Sequence, residues 1–303
     1  MRLGIDIGGT TVKIGLIDNY KIIKSFSIDT KPESLFDDIF LLLISHDINL
    51  NELEQIGFGI PGNVSNNYIN KMPNIGLSNI DLNKIAKKYT NTIINSSNDA
   101  NCAALGEAIN YNIKSAYFIT LGTGVGGGLI LDGKVIEGAH NSAGEVGHIA
   151  IDKHNFECTC GLFGCIETVA SATGIKRLAQ EYKDQYKTNI DFSNISAKDV
   201  IDGARESDEL GLFVLNYVAK SIAKLLSILA VSVDVDTFII GGGVSYAGDI
   251  LLNSIKKYYK EYSFYGTKKT NIKLAELKND AGMIGAAYLW KWQLMLIRYI
   301  NLK

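Results

Sequence analysis

The chain has 303 residues, of which 47% are hydrophobic and 20% charged, and its formal net charge is -2. That length suits two domains better than one, and the near-neutral balance argues against a nucleic-acid or anionic-membrane partner, which calls for a basic patch or tail. Four cysteines are far from a disulfide scaffold, the opening MRLGIDIGGT does not read as a signal peptide, and the apolar runs are expected to fall short of the roughly 20 residues of a membrane span; the expectation is a soluble, cytoplasmic, globular protein.

Prolines number 3 and glycines 30. The glycines cluster at Gly8–Gly9, 122–128, 144–147, 161–164 and 241–243, marking backbone that turns sharply or approaches something closely. In chain order, RLGIDIGGTTVKIGLID predicts two strands joined by a glycine turn, and Ser34 to Ser45 a helix. IGFGIPG reads as a strand entering a loop, and Asp81 to Tyr89 as a helix capped by Asp81. TIINSS is a short strand, followed by a helix over NDANCAALGEAI with Asn98 or Asp99 at its N-terminus. AYFITLGTGVGGGLILDGKVI then repeats the opening pattern of strand, glycine turn and strand, with a further strand. Helices are predicted over Ile175–Tyr186 and Glu209–Val231, a strand into a glycine turn over DTFIIGGGVS, a helix over Leu251–Tyr262, a strand at KLAEL and a last helix from Ala281 to about Arg298. The alternation of strand and helix implies α/β layers. The domain boundary is placed near Asn110 to Ser115, giving an N-terminal domain over 1–112 and a larger one over 113–280. A C-terminal helix over about 281–303 would pack back on the first, and its last residues, QLMLIRYINLK, would fray or extend into an oligomer contact.

The glycine turns carry a chemistry. Backbone amides of Gly8, Gly9, Thr10 and Thr11, with the threonine hydroxyls, can cradle phosphate oxygens. Asp6 at the end of the first strand could hold hydrated Mg2+, and Lys13 adds positive charge. Gly122, Thr123 and Gly124 offer the same chemistry again. Neither turn fits the P-loop, which needs Lys-Ser/Thr after its last glycine, nor the dinucleotide fingerprint, since a strand rather than a helix follows. A single glycine hairpin is most often only a hairpin; two alike and a third glycine turn make that reading weak.

His148, Cys158, Cys160 and Cys165 are spaced H-x9-C-x-C-x4-C. One imidazole and three thiolates form the closed tetrahedral set of structural Zn2+; a redox pair would use C-x-x-C, and the alternative is three buried free cysteines. Structural zinc at such a site couples to folding, on the order of 10–16 kcal/mol in small peptides. Cys102 reads as a small core residue, and His46, His140 and His154 as surface or turn histidines.

Together DIGGTTVKIGLID, LGTGVGGGLI, IIGGGVS, AGEVGHI and CTCGLFGCIE resemble the ROK family of sugar kinases, within the actin-like ATPase superfamily, over Leu3 to about Tyr288. The resemblance implies an α/β, two-domain actin-like ATPase (ribonuclease H-like) fold with a cleft between domains. It implies an ATP-dependent kinase acting on a hexose, usually as a homodimer, which closes on its sugar and so limits futile ATP hydrolysis. ATP would lie on the two phosphate motifs and on Gly241, Gly242 and Gly243. Glu145, His148 and Glu167 would grip sugar hydroxyls, Asn98 would hydrogen-bond the sugar, Gly62 and Asn74 would lie beside it, and Asp99 would take the proton from the attacked hydroxyl. Read from the residues alone, Asp99 is equally well a helix N-cap. ROK glucokinases read closest, although many carry a tryptophan where this chain has LSNI. The alternatives are a kinase for N-acetylmannosamine, N-acetylglucosamine or fructose, a polyphosphate donor, a binding protein without activity, and a sugar-binding regulator of the same family, which would need an N-terminal DNA-binding domain ahead of Asp6.

Overall fold

The computed structural model describes residues 1–154 and 156–289. By internal packing the chain forms two units. The first comprises Met1–Ser115, Gly128–Ala143 and Leu277–Lys303, and the second Ala116–Gly127 and Gly144–Glu276. These limits depart from the 113–280 reading at Gly128–Ala143, which joins the first unit: Gly128 lies so close to α3, described next, that a Cβ there would meet the Ala104 side chain at 2.6 Å.

In the first unit, β1 (Arg2–Ile7), β2 (Thr11–Asp18) and β3 (Lys21–Asp29) form an antiparallel meander, and α1 (Leu35–Ser45) leads to β4 (Ile56–Ile60). The small antiparallel sheet β5 (Asn63–Ser65), β6 (Tyr68–Met72) and β7 (Leu77–Asp81) follows, then α2 (Leu82–Ala86), β8 (Ile94–Asn98) and α3 (Asp99–Asn110). The main sheet has the order β3-β2-β1-β4-β8, with β4 parallel to both β1 and β8. Period-2 alternation puts Leu3, Ile5 and Ile7 on one face, where they join Leu35, Ile39, Phe40 and Leu43 of α1 in the core. Residues Gly4 and Gly57 open the other face: a Cβ at either would stand 1.8 Å from a carbonyl oxygen of the last described helix, α9 (Ala281–Tyr288). That close approach explains why every residue of α9 is buried although it is only two turns long. The remainder of the expected last helix, and the QLMLIRYINLK segment, lie outside the described residues.

The second unit starts with β9 (Ala116–Leu121), which runs through the second glycine turn into β10 (Val125–Leu131); the far half of β10 pairs with β11 (Lys134–Ile136) within the first unit. After the cysteine loop come α4 (Glu167–Ala170), α5 (Ala172–Tyr182), α6 (Ala197–Arg205), α7 (Glu209–Val233), β12 (Thr237–Gly241), α8 (Asp249–Tyr262) and β13 (Asn271–Leu274). The strand order within the unit is β10-β9-β12-β13, with β12 parallel to both β9 and β13. Contrary to the expectation about apolar runs, the 25 residues of α7 are long and apolar enough to cross a membrane. In this structure α7 packs against α5, α6 and α8, and Leu210, Val214, Leu215, Val218, Leu225 and Leu226 are among its buried side chains.

Candidate active site

The first glycine turn, between β1 and β2, is closed by the Gly8 N–H donating to Thr11 O at 2.9 Å. Thr30, just past β3, braces it from behind: its hydroxyl donates to Gly8 O at 2.8 Å and its N–H to Thr10 O at 2.9 Å. Asp6 stands opposite Lys13 in the β1–β2 register. Burial pushes the Asp6 carboxyl up to about 6, with Lys13 pulling the other way. Room for that carboxylate comes from Gly282 of α9, where a Cβ would meet its atoms at 2.6 to 2.9 Å. Neither Thr30 nor Gly282 was picked out by motif; both are found only once the chain is folded.

At the start of α3, two roles that the sequence left open are separated. Asn98 is the N-cap: its Oδ1 accepts from the Ala100 and Asn101 N–H groups at 2.9 and 3.4 Å, and its Nδ2 donates to Gly62 O at 3.3 Å. Asp99 is the first helical residue, and its Oδ1 accepts from the Ala100 N–H at 2.9 Å. Asn98, Asp99 and Gly62 therefore form one cluster. Asn74 sits on the exposed turn between β6 and β7, with no hydrogen bond to that cluster among the described residues. Cys102 is fully buried one turn along α3.

In the second unit the second and third glycine turns adjoin each other, and Glu167 reaches the second. The third glycine turn follows β12, whose Gly241 lies beside Thr120 of β9 in the parallel register, so Gly241, Gly242 and Gly243 adjoin the strand that feeds Gly122, Thr123 and Gly124. Gly242 has φ +81°, and a Cβ on it would stand 2.5 Å from the Leu121 backbone. Glu145 is exposed just ahead of a short 3-10 turn that holds His148. Glu167 opens α4, two residues after Cys165; its Oε2 accepts from the Val125 N–H at 2.9 Å, and its Oε1 lies 3.6 Å from Cys158 Sγ.

His148, Cys158, Cys160 and Cys165 come together with all their ligand atoms within 4.8 Å of one another. Cys158 Sγ is 3.6 Å from His148 Nδ1, and Cys160 Sγ is 3.8 Å from Cys165 Sγ. Four ligands about 2.3 Å from a tetrahedral centre are spaced by roughly 3.8 Å, so these residues fit a metal ion. The Leu162 amide pulls the Cys160 thiol below its ordinary value, whereas burial pushes Cys165 up to about 12; a bound cation would favour the thiolate at both.

The reading of His154 as a surface or turn residue is corrected. Its side chain is 17% exposed and lies among ordered partners. Nδ1 is 3.0 Å from Asp152 Oδ1 and 2.8 Å from the Tyr217 hydroxyl, and Nε2 is 2.7 Å from the Tyr182 hydroxyl. Tyr217 also donates to Asp152 Oδ2 at 2.6 Å, and burial, then Asp152, raises its phenol. Because Asp152 N–H donates to Gly164 O, this clasp holds the cysteine loop on α5 and α7. The sequence shows no spacing that would reveal it, since its members come from three separate segments.

The model of the ROK family matches residues 2–293. A glucokinase from Halalkalibacterium halodurans is 35% identical, with 96% of this chain and 95% of the relative covered. An N-acetylmannosamine kinase from Haemophilus influenzae is 30% identical, with 94% of each covered. The crystal structure of a ROK family glucokinase from Streptomyces griseus, in complex with glucose and AMPPNP, superposes with a TM-score of 0.75 at 29% identity, over 95% of this chain and 98% of that one. The chain belongs to the ROK family. Its fold is the two-domain actin-like ATPase fold of ROK sugar kinases, and its class is that of an ATP-dependent sugar kinase.

Proposed function

We propose that this kinase transfers the γ-phosphoryl group of ATP to the 6-hydroxyl of glucose, with Asp99 as general base. The observation that carries the assignment is the division of labour at α3: Asn98 caps the helix, so the purely structural reading of Asp99 as the cap no longer applies. The carboxylate stands on the first residue of that helix. Asn98 keeps that end in place through Gly62. Glu145, His148 and Glu167 are assigned to the sugar hydroxyls, and Asn74 and Gly62 to its surroundings. With Nδ1 turned to the cysteines, His148 has Nε2 for a hydroxyl. Phosphate oxygens are assigned to the turns at 8–11 and 122–124, the nucleoside to 241–243, and Mg2+ to Asp6, where it would offset the charge of the transferring group.

Zn2+ is proposed for the His148, Cys158, Cys160 and Cys165 set, on the tetrahedral spacing and the thiol-rich donors. All four positions are filled by protein, so the ion would order the loop that carries Glu167 rather than activate water. Homodimeric assembly and a cytoplasmic location complete the proposal.

A second reading, phosphorylation of N-acetylmannosamine, is supported by the relative of that activity at 30% identity. Coupled ADP release over a panel of hexoses and N-acetylhexosamines separates the two: a kcat/KM for glucose below that for any acetamido sugar overturns the glucose assignment.

A further inference from the structure

The Val125 peptide, where the second glycine turn enters β10, is gripped from two sides. Its N–H donates to Glu167 Oε2 at 2.9 Å. Its carbonyl oxygen packs so closely on Gly147 that a Cβ there would stand 2.0 Å away. The chain beyond Glu167 continues the support, with Ala172 N–H donating to Gly122 O at 2.8 Å and the Thr173 hydroxyl to Thr123 O at 3.3 Å. Within the turn, Gly122 N–H donates to Gly124 O at 2.9 Å. The amides of Gly122 and Val125 are committed inside the protein, whereas those of Thr123 and Gly124 have no partner among the described residues. The Glu167 bond spans 42 residues of sequence, so it is not the local side-chain-to-backbone pairing that loops commonly make.

We infer that Glu167 is a positioning residue for the phosphate-binding turn as well as a sugar contact: by holding the Val125 amide it sets the turn so that Thr123 and Gly124 present their N–H groups to the nucleotide. The inference rests on the kinase reading above. It also accounts for the glycine at 124, where a Cβ would lie 2.4 Å from Glu167 Oε2. One carboxylate thereby belongs to the acceptor side and the donor side at once, and the cysteine loop that carries it is wired to nucleotide binding.

The test is calorimetric titration of the metal-loaded protein with a non-hydrolysable ATP analogue and Mg2+, without sugar. Glu167→Ala removes the acceptor and is expected to weaken the analogue about tenfold, the loss of one hydrogen bond. Glu167→Gln keeps an amide oxygen for Val125 and is expected to stay within about twofold of the native affinity, while the KM for sugar rises in both variants. Native affinity in Glu167→Ala, or an equal loss in Glu167→Gln, overturns the inference. Should Glu167→Ala fail to fold, Gly124→Ala takes its place: it drives a methyl into the carboxylate and is expected to weaken the analogue, and native affinity there overturns the inference too. If the native protein itself bound no analogue, the kinase reading would fall; native binding that is indifferent to position 167 removes only this inference.

Discussion

Replacing Asp6 by Asn should make the protein more stable at neutral pH while costing it activity. The carboxyl of Asp6 ordinarily ionises near 3.8, and burial among β1, β4 and α9 raises that to about 6. Because the folded form holds its proton more tightly, stability is greatest below the unfolded value. It declines as pH climbs from about 4 to about 6 and is level above that. Two pH units correspond to about 3 kcal/mol, and nearer 2 kcal/mol once residual exposure is allowed for. Asparagine has similar shape and never ionises, so it removes that penalty. At pH 7.5 the variant is expected to melt a few degrees higher, on the scale of 2–4 °C per kcal/mol for a domain of this size, and the difference should shrink toward zero near pH 4. Turnover with Mg2+ should fall by at least a hundredfold, as expected for a lost ligand in the electrostatic machinery. Scanning calorimetry at several pH values, alongside the coupled kinase assay, measures both. A stability gain that is independent of pH, or a variant less stable at pH 7.5 than the native chain, refutes the argument from desolvation.

Asp99→Asn should lower kcat by about 10^2–10^4-fold with little change in sugar affinity, measured by steady-state kinetics and calorimetry; a fully active variant removes Asp99 from its role as base. Cys160→Ser alters an exposed member of the cysteine set, so the core is untouched; its zinc content by plasma emission should fall well below the native ratio of about one per chain, and a native protein without zinc sinks the metal assignment. Tyr217→Phe strips the hydroxyl from the buried Asp152 carboxylate and the partly buried His154 ring. It should destabilise the second unit by about 1–3 kcal/mol and hasten chelator-driven loss of the metal; chemical denaturation and a colorimetric chelator read the two effects, and an unchanged metal release rate would confine the clasp to general stability.

Much of this protein was legible before folding because its signals are local. A glycine turn between two strands, an H-x9-C-x-C-x4-C spacing and the Asp81 cap each depend on neighbours a few residues away, and backbone sterics and ligand spacing constrain them wherever the segment lies. Elements that lean on solvent were harder: β3 alternates weakly because most of it is exposed, and α6 was missed although Ser196 and Asp199 form a capping box at its start.

Folding alone decided the rest, since those relations join residues with no sequence periodicity between them. It set Gly282 against Asp6, brought Tyr182 and Tyr217 to His154 from helices 28 and 63 positions on, and assigned the α3 cap to Asn98 rather than Asp99. It also tied Glu167 to the Val125 amide. Local sequence specifies which groups a turn or cluster contains; only close packing of distant segments specifies which of their hydrogen bonds are spent inside the protein and which face a ligand.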